Sequence, residues 1–98
     1  MVSKIWKYRL FTRPDINITT ILNLRSGDKI LKVATEPKYT MNDIICIWVM
    51  TDLLDDTVVE REFLCLGTGK DLPDGVWKHL DSVREDSYMW HIFEKENE

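Results

Sequence analysis

The sequence predicts a mainly β fold: a single compact antiparallel β-sandwich or open barrel of about seven short strands, with at most one short helical turn. Two observations support this prediction. Short segments that alternate apolar and polar residues recur along the chain, and turn-forming Pro, Gly and Asp residues separate them. The 98 residues, 44% of them hydrophobic and 31% charged, suit one globular domain. We therefore expect one β-rich domain over residues 1–98, with residues 94–98 as a frayed tail.

Alternation and turn residues place seven strands along the chain. These strands are predicted over residues 4–11, 16–24, 29–35, 44–50, 58–66, 78–84 and 87–93. In the first strand Lys7 and Arg9 point to one face, and an apolar stripe points to the other. That stripe consists of Trp6, Tyr8 and Leu10. The second strand is followed by the Ser-Gly-Asp sequence of residues 26–28, which favours a tight turn into the third.

The fourth and fifth strands contain the longest runs of successive apolar residues. Residues 44–50 are apolar at successive positions, which is typical of a strand covered on both faces, so we place it at the centre of the sheet. An acidic connection leads to the fifth strand, which we expect to pair with the fourth. In the loop after it, Pro73 marks the place where a single helical turn would lie. The last two strands are expected to form a hairpin across Glu85-Asp86.

The charges are unevenly distributed along the chain. The net charge of −4 argues against general nucleic-acid binding, because phosphate neutralisation favours basic proteins. The first 38 residues nevertheless carry eight Lys and Arg against three acidic residues, whereas the remainder carries five against fourteen. One interpretation is that these charges pair across strands as a solvated face. The other is a basic surface that receives a small anion, an acidic partner or the acidic face of a second copy.

Two further features bear on the cellular location. No apolar stretch approaches the ~20 residues that cross a bilayer, and the N-terminus lacks the apolar core of a signal peptide. We therefore expect neither membrane association nor secretion. Cys46 and Cys65 lie inside apolar strands and no His or Asp pattern accompanies them, so two buried free thiols are expected.

The string that most suggests a ligand site is Gly67-Thr68-Gly69-Lys70. Glycines followed by a lysine can present backbone N–H groups and a cation to a phosphate. The spacing matches neither a P-loop nor a dinucleotide-binding fingerprint. The structural interpretation is that glycine supplies a positive φ where the chain leaves the sheet.

The sequence contains no catalytic or metal-binding constellation. His79 and His91 lie in the last two predicted strands and could face each other, but no further ligand stands at zinc spacing, so both are expected to be hydrogen-bonded and partly buried. Core positions are expected for the tryptophans, which are Trp6, Trp48, Trp77 and Trp90. Trp6 could stack a base beside Lys7 or Arg9, but alternation within one strand points them to opposite faces. We expect no enzyme activity, no cofactor and no metal.

Five short motifs taken together carry a family resemblance. They are Ile-Trp-Lys-Tyr-Arg-Leu at residues 5–10, Gly-Asp-Lys-Ile-Leu at 27–31, Ile-Trp-Val at 47–49, Leu-Gly-Thr-Gly at 66–69 and Trp-His-Ile-Phe-Glu at 90–94. In this combination, and over almost its whole length, the chain resembles a small uncharacterised protein family of tailed bacteriophages. That family commonly carries His where Lys70 stands here. The resemblance implies a phage protein that acts in the host cytoplasm, and it prescribes no activity.

We therefore expect a phage accessory protein that acts without catalysis, by analogy with small phage proteins that oppose host defence. The first hypothesis is sequestration of a small anionic nucleotide-type signal at a homo-oligomer interface. Its predicted ligand-binding residues are Lys7, Arg9, Thr68, Gly69 and Lys70. The alternative is a protein-interaction module that binds and inhibits a host protein through exposed strand edges.

Overall fold

Two antiparallel sheets make up the described part of the chain. The computed structural model describes residues 2–13, 17–36, 44–85 and 87–96, which contain seven strands and no helix, and hence none that could span a membrane. The strands are β1 (Ser3–Leu10), β2 (Thr19–Arg25), β3 (Lys29–Glu36), β4 (Ile44–Asp52), β5 (Val58–Gly67), β6 (Trp77–Glu85) and β7 (Tyr88–Lys95). The mainly β prediction is confirmed. The start predicted at residue 16 lies outside the described residues, and within them β2 begins at Thr19.

The strand order divides the chain into a three-stranded sheet A, β1-β4-β3, and a four-stranded sheet B, β2-β5-β7-β6. β4 lies at the centre of sheet A, as its apolar run predicted. The predicted pairing of β5 with β4 was wrong, because β5 pairs with β2 and β7. The connection between β4 and β5 crosses from one sheet to the other, through a turn in which the Asp55 N–H donates to the Asp52 carbonyl oxygen at 3.1 Å. Two apolar strands that face each other across a core have the same pattern as two that are neighbours.

The core lies between the sheets and takes alternate residues from their inner faces. Buried side chains in the cluster are Leu10, Leu24, Val33, Ile45, Ile47, Val49, Phe63, Cys65, Trp90 and Ile92. β4 contributes Ile45, Ile47 and Val49 to it. Because successive side chains of a strand point to opposite faces, Cys46, Trp48 and Met50 are directed to the outer face of sheet A.

Most local predictions at the turns hold. The turn over residues 26–28 is present, with the Asp28 N–H donating to the Arg25 carbonyl oxygen at 3.0 Å, and it leads from sheet B to sheet A. β6 and β7 form the predicted hairpin, of which Asp86 lies outside the described residues. No helical turn forms at Pro73. The predicted tail began too early, because β7 continues to Lys95 and Glu94 is held by Arg61.

Candidate functional site

The outer face of sheet A brings basic and aromatic side chains of three strands together. Lys7 of β1 lies opposite Trp48 of β4, and Lys32 of β3 lies opposite the same Trp48 from the other side. Directly opposite residues of antiparallel strands share a face, so these three side chains form one row with the indole in the middle. Arg9 is two residues from Lys7 and shares that face. We call Lys7, Arg9, Lys32 and Trp48 the basic face.

Topology concentrates positive charge on this sheet. β1 and β3 both come from the basic first part of the chain, and they flank β4. The strands of sheet A hold five basic and two acidic residues, whereas those of sheet B hold five of each. The ion pairs Lys7–Glu36 and Arg61–Glu94 each join residues from the same part of the chain, so they do not cancel the asymmetry between the two parts.

Both lysines of the row are exposed to solvent. The Nζ of Lys7 donates to both carboxylate oxygens of Glu36, at 2.8 and 2.9 Å, and this hydrogen bond raises the pKa of Lys7 against the opposing effect of desolvation. The two side chains are 45% and 38% exposed, and an ion pair this open to water is weak and exchanges readily. The Nζ of Lys32 lies 5.8 Å from the centre of the Trp48 ring, within the range of a cation–π contact.

The tryptophans divide between core and surface. Trp90 is 3% exposed and belongs to the core, as predicted. Trp6 is 43% exposed, so its predicted core position was wrong: it lies on a strand at the margin of sheet A. Trp48 and Trp77 are half-buried. Trp48 was not predicted as a site residue, because it stands in an apolar run and its basic neighbours come from strands far away in the chain.

The Gly67-Thr68-Gly69-Lys70 string lies at the end of β5 in sheet B. Gly69 has φ of 89°, which confirms the structural interpretation of that glycine. The Lys70 N–H already donates to the Gly67 carbonyl oxygen at 3.2 Å, and the Thr68 N–H donates to that of Met89 at 3.4 Å. These N–H groups are therefore engaged within the chain and do not form an open cradle for a phosphate.

One copy of the chain does not bring all the predicted site residues together. Lys7 and Arg9 lie on the outer face of sheet A. The Thr68 side chain points to the outer face of sheet B, where it contacts His91, and Gly69 and Lys70 follow it. The outer faces of two packed sheets point in opposite directions. A site that uses both groups needs two copies.

His79 and His91 lie near each other on sheet B, with ring centres 6.5 Å apart. A hydrogen bond of 2.8 Å joins the Thr68 hydroxyl to Nε2 of His91, and another of 2.8 Å joins Nδ1 of His91 to the Ser82 hydroxyl. The Ser82 hydroxyl also bonds Nε2 of His79 at 3.0 Å. These hydrogen bonds hold both rings, so the predicted hydrogen bonding is confirmed. His91 is partly buried as predicted, whereas the same prediction for His79 was wrong, because that side chain is exposed.

A cleft of about 410 Å³ lies between the edge strands β3 and β6. Its charged lining combines both signs: Lys29, Lys32, Arg61 and Lys78 with Asp28, Asp81 and Glu94. Arg61 at this cleft is already bound to Glu94, at 2.6 and 2.7 Å. The cleft is therefore a poorer match to an anion than the basic face.

Neither cysteine is a candidate nucleophile. Cys46 and Cys65 are both buried as thiols, as predicted, and burial raises the pKa of the Cys65 thiol to about 12. At pH 8 we expect iodoacetamide to modify Cys65 about a thousandfold more slowly in the folded protein than in urea, because the thiolate fraction falls tenfold per pKa unit. Mass spectrometry of timed alkylations measures this ratio. Fast modification without denaturant would contradict the burial of this thiol.

Fold and surface together define the class: an antiparallel β-sandwich with one basic, aromatic-centred face and, in the described ranges, no group of three or more metal-ligating side chains. The family model described as "Domain of unknown function (DUF7352)" matches residues 1–98, so the chain belongs to that family. No curated protein and no solved structure matches the chain.

Proposed function

We propose that this protein binds, without catalysis, a small anionic nucleotide-type ligand on the basic face of sheet A. The observation that carries the proposal is the row in which Trp48 lies between Lys7 and Lys32. An indole offers a flat surface on which a base stacks, a contact worth about 1–3 kcal/mol. Ammonium groups on the flanking strands then meet the phosphates through charge-assisted hydrogen bonds.

The spacing of the sheet suits a ligand of nucleotide size. Adjacent strands lie roughly 5 Å apart, so a ring stacked over Trp48 has Lys7 and Lys32 at its two sides and Arg9 one row along β1. The small footprint of such a ligand also agrees with the net charge of −4, because a long nucleic acid would extend over acidic parts of the surface.

In this proposal the protein is a homo-oligomeric phage accessory protein that sequesters a defence signal in the host cytoplasm. The flat face of one copy covers only one side of a ligand, and a second copy would cover the other. The side chains of Thr68 and Lys70, with Gly69 between them, would then contribute from that second copy, because within one copy they lie on the opposite sheet. Cyclic and ADP-ribose-type nucleotides are the ligands to test first.

The test compares two lysines in matched surroundings. Lys32 lies 5.8 Å from the ring centre of Trp48, and Lys95 lies 5.9 Å from that of Trp77 on sheet B. We expect Lys32→Glu to weaken nucleotide binding at least tenfold, because it replaces an attractive phosphate contact with a repulsive one, and Lys95→Glu to change it less than about twofold. Titration calorimetry measures affinity, and native mass spectrometry measures stoichiometry.

Two results would contradict the proposal. The first is equal weakening by both variants, since a general effect of net charge would then account for the loss. The second is a wild-type protein that remains free of every nucleotide in the panel, which would leave the protein-interaction module as the better function. That alternative is favoured by a separate observation on β1, one of the two edge strands of sheet A.

A further inference from the structure

We propose that the free edge of β1 binds an acidic, extended segment of a partner protein, which joins sheet A as an added strand. The inference rests on the protein-interaction alternative and does not require nucleotide binding. It assigns that alternative a place in the fold and a partner chemistry, neither of which the family description supplies.

Among the described residues, the backbone of β1 pairs with another strand along one side only. In the order β1-β4-β3, β1 pairs with β4 only, and the eight pairs from Ser3–Asp52 to Leu10–Ile45 follow without a shift. The edge strands β3 and β6 differ, since each contains a register shift of the kind that blunts an edge. The remaining edge strand, β2, is also regular, but Arg25 is its single basic residue. A straight edge of eight residues is long enough to pair with a peptide strand.

β1 also exposes apolar surface that a solvated edge normally lacks. Ile5 is 58% exposed and Trp6 is 43% exposed, and the residues that flank the strand, Val2 and Phe11, are 53% and 52% exposed. Lysines on an edge strand protect it against aggregation, and this role by itself would account for the lysines of β1. Exposed Ile and Trp on the same strand work against such protection, and they favour a surface that a partner covers.

Charge selects the kind of partner. β1 contains Lys4, Lys7 and Arg9 and no acidic residue. Lys4 lies with its Nζ 4.6 Å from the Trp6 ring, whereas Lys7 and Arg9 point to the opposite face, so both sides of the edge are basic. Pairing with β1 of a second copy would place these cations against each other. A strand with Asp or Glu at alternate positions instead meets a cation across the pair.

The test uses synthetic eight-residue peptides of alternating Glu and Val, matched to the length of β1. In an added strand, every second backbone N–H points towards β1. We therefore prepare two peptides, one N-methylated at its odd-numbered residues and the other at its even-numbered residues. Fluorescence anisotropy should show loss of binding for one methylated peptide and retention for the other. Amide hydrogen exchange in β1 should slow with the unmodified peptide. Equal behaviour of the two methylated peptides, or equal binding of a Lys-Val peptide, would overturn the proposal.

A pair of charge reversals locates the site. We expect Lys4→Glu to weaken binding of the Glu-Val peptide about tenfold, and Lys29→Glu, on the other edge of sheet A, to change it less than about twofold. Equal losses would rule out the β1 edge. Both variants are also titrated with nucleotide. The edge site is supported if Lys4→Glu weakens peptide binding and leaves nucleotide binding unchanged. It is equally supported if Lys4→Glu weakens peptide binding and the wild-type protein binds no nucleotide. A protein that binds nucleotide and no peptide would reject this inference and leave the first proposal intact.

Discussion

Replacing Arg61 with Met is expected to lower the free energy of unfolding by about 2–3 kcal/mol. The guanidinium bonds both oxygens of Glu94, at 2.6 and 2.7 Å, and donates to the Asp28 carbonyl oxygen at 2.9 Å, so it ties β5 and β7 to the turn that enters sheet A. The Arg61 and Glu94 side chains are only 21% and 16% exposed. Removal of one partner leaves the other charge largely desolvated, and the partial exposure reduces the usual cost of 3–5 kcal/mol somewhat.

A double substitution checks that mechanism. In Arg61→Met/Glu94→Leu no charge is left unpaired, so most of the lost stability should return, because apolar replacement of a whole buried ion pair is often neutral. Urea unfolding with a constant m-value measures all variants. Lys7→Met, at the exposed Lys7–Glu36 pair, is the control and should leave stability unchanged. A double variant no more stable than Arg61→Met would show that the guanidinium acts through its bond to Asp28.

The effect of Arg61 should not depend on pH near neutrality. The hydrogen bond that Arg61 donates to Glu94 raises the pKa of Arg61 further above its ordinary value. A raised pKa on a basic group stabilises the folded state fully at pH values below the ordinary value, and that stabilisation is lost only as pH rises through the raised one. Between about pH 6 and 9 the difference between wild type and Arg61→Met should therefore stay constant.

Replacing Gly67 with Ala is expected to cost about 2 kcal/mol of stability. Gly67 is buried at the end of β5, and an added Cβ would overlap the Tyr88 hydroxyl and lie 2.8 Å from its ring carbon Cζ. The Tyr88 ring cannot move away without loss of its contact with Trp90, whose ring centre is 4.7 Å away. Insertion of one methyl group into such a site typically costs 1–3 kcal/mol. Thermal or urea unfolding monitored by tryptophan fluorescence measures the change.

Two comparisons separate this steric cause from the backbone preference of glycine. Gly69→Ala meets no atom within 4 Å and is opposed only by its φ of 89°, so it should cost about 1 kcal/mol. In Gly67→Ala/Tyr88→Leu the side chain that blocks the methyl group is gone, and the double variant should lose at least 1 kcal/mol less than the sum of the two single changes. Strict additivity would mean that Tyr88 is not what requires glycine at residue 67.

The sequence by itself determined the local features of this protein. Alternation of apolar and polar residues identified seven strands, because the side-chain period of a strand follows from its own backbone geometry. The Gly69 turn and the β6–β7 hairpin were predicted for the same reason, since each depends on a few adjacent residues. The separation of Trp6 from Lys7 within β1 was also foreseeable from alternation alone.

Only the tertiary structure decided which distant strands are neighbours. The apolar pattern of β4 and β5 is satisfied equally by pairing and by facing each other across a core, and here they lie in different sheets. The basic face depends on the order β1-β4-β3, which sets Trp48 beside Lys7 and Lys32 from strands remote in the chain. Gly67 faces Tyr88 for a similar reason. Side-chain direction is encoded by a local period, whereas partners across a sheet are selected by long-range packing, which no local pattern records.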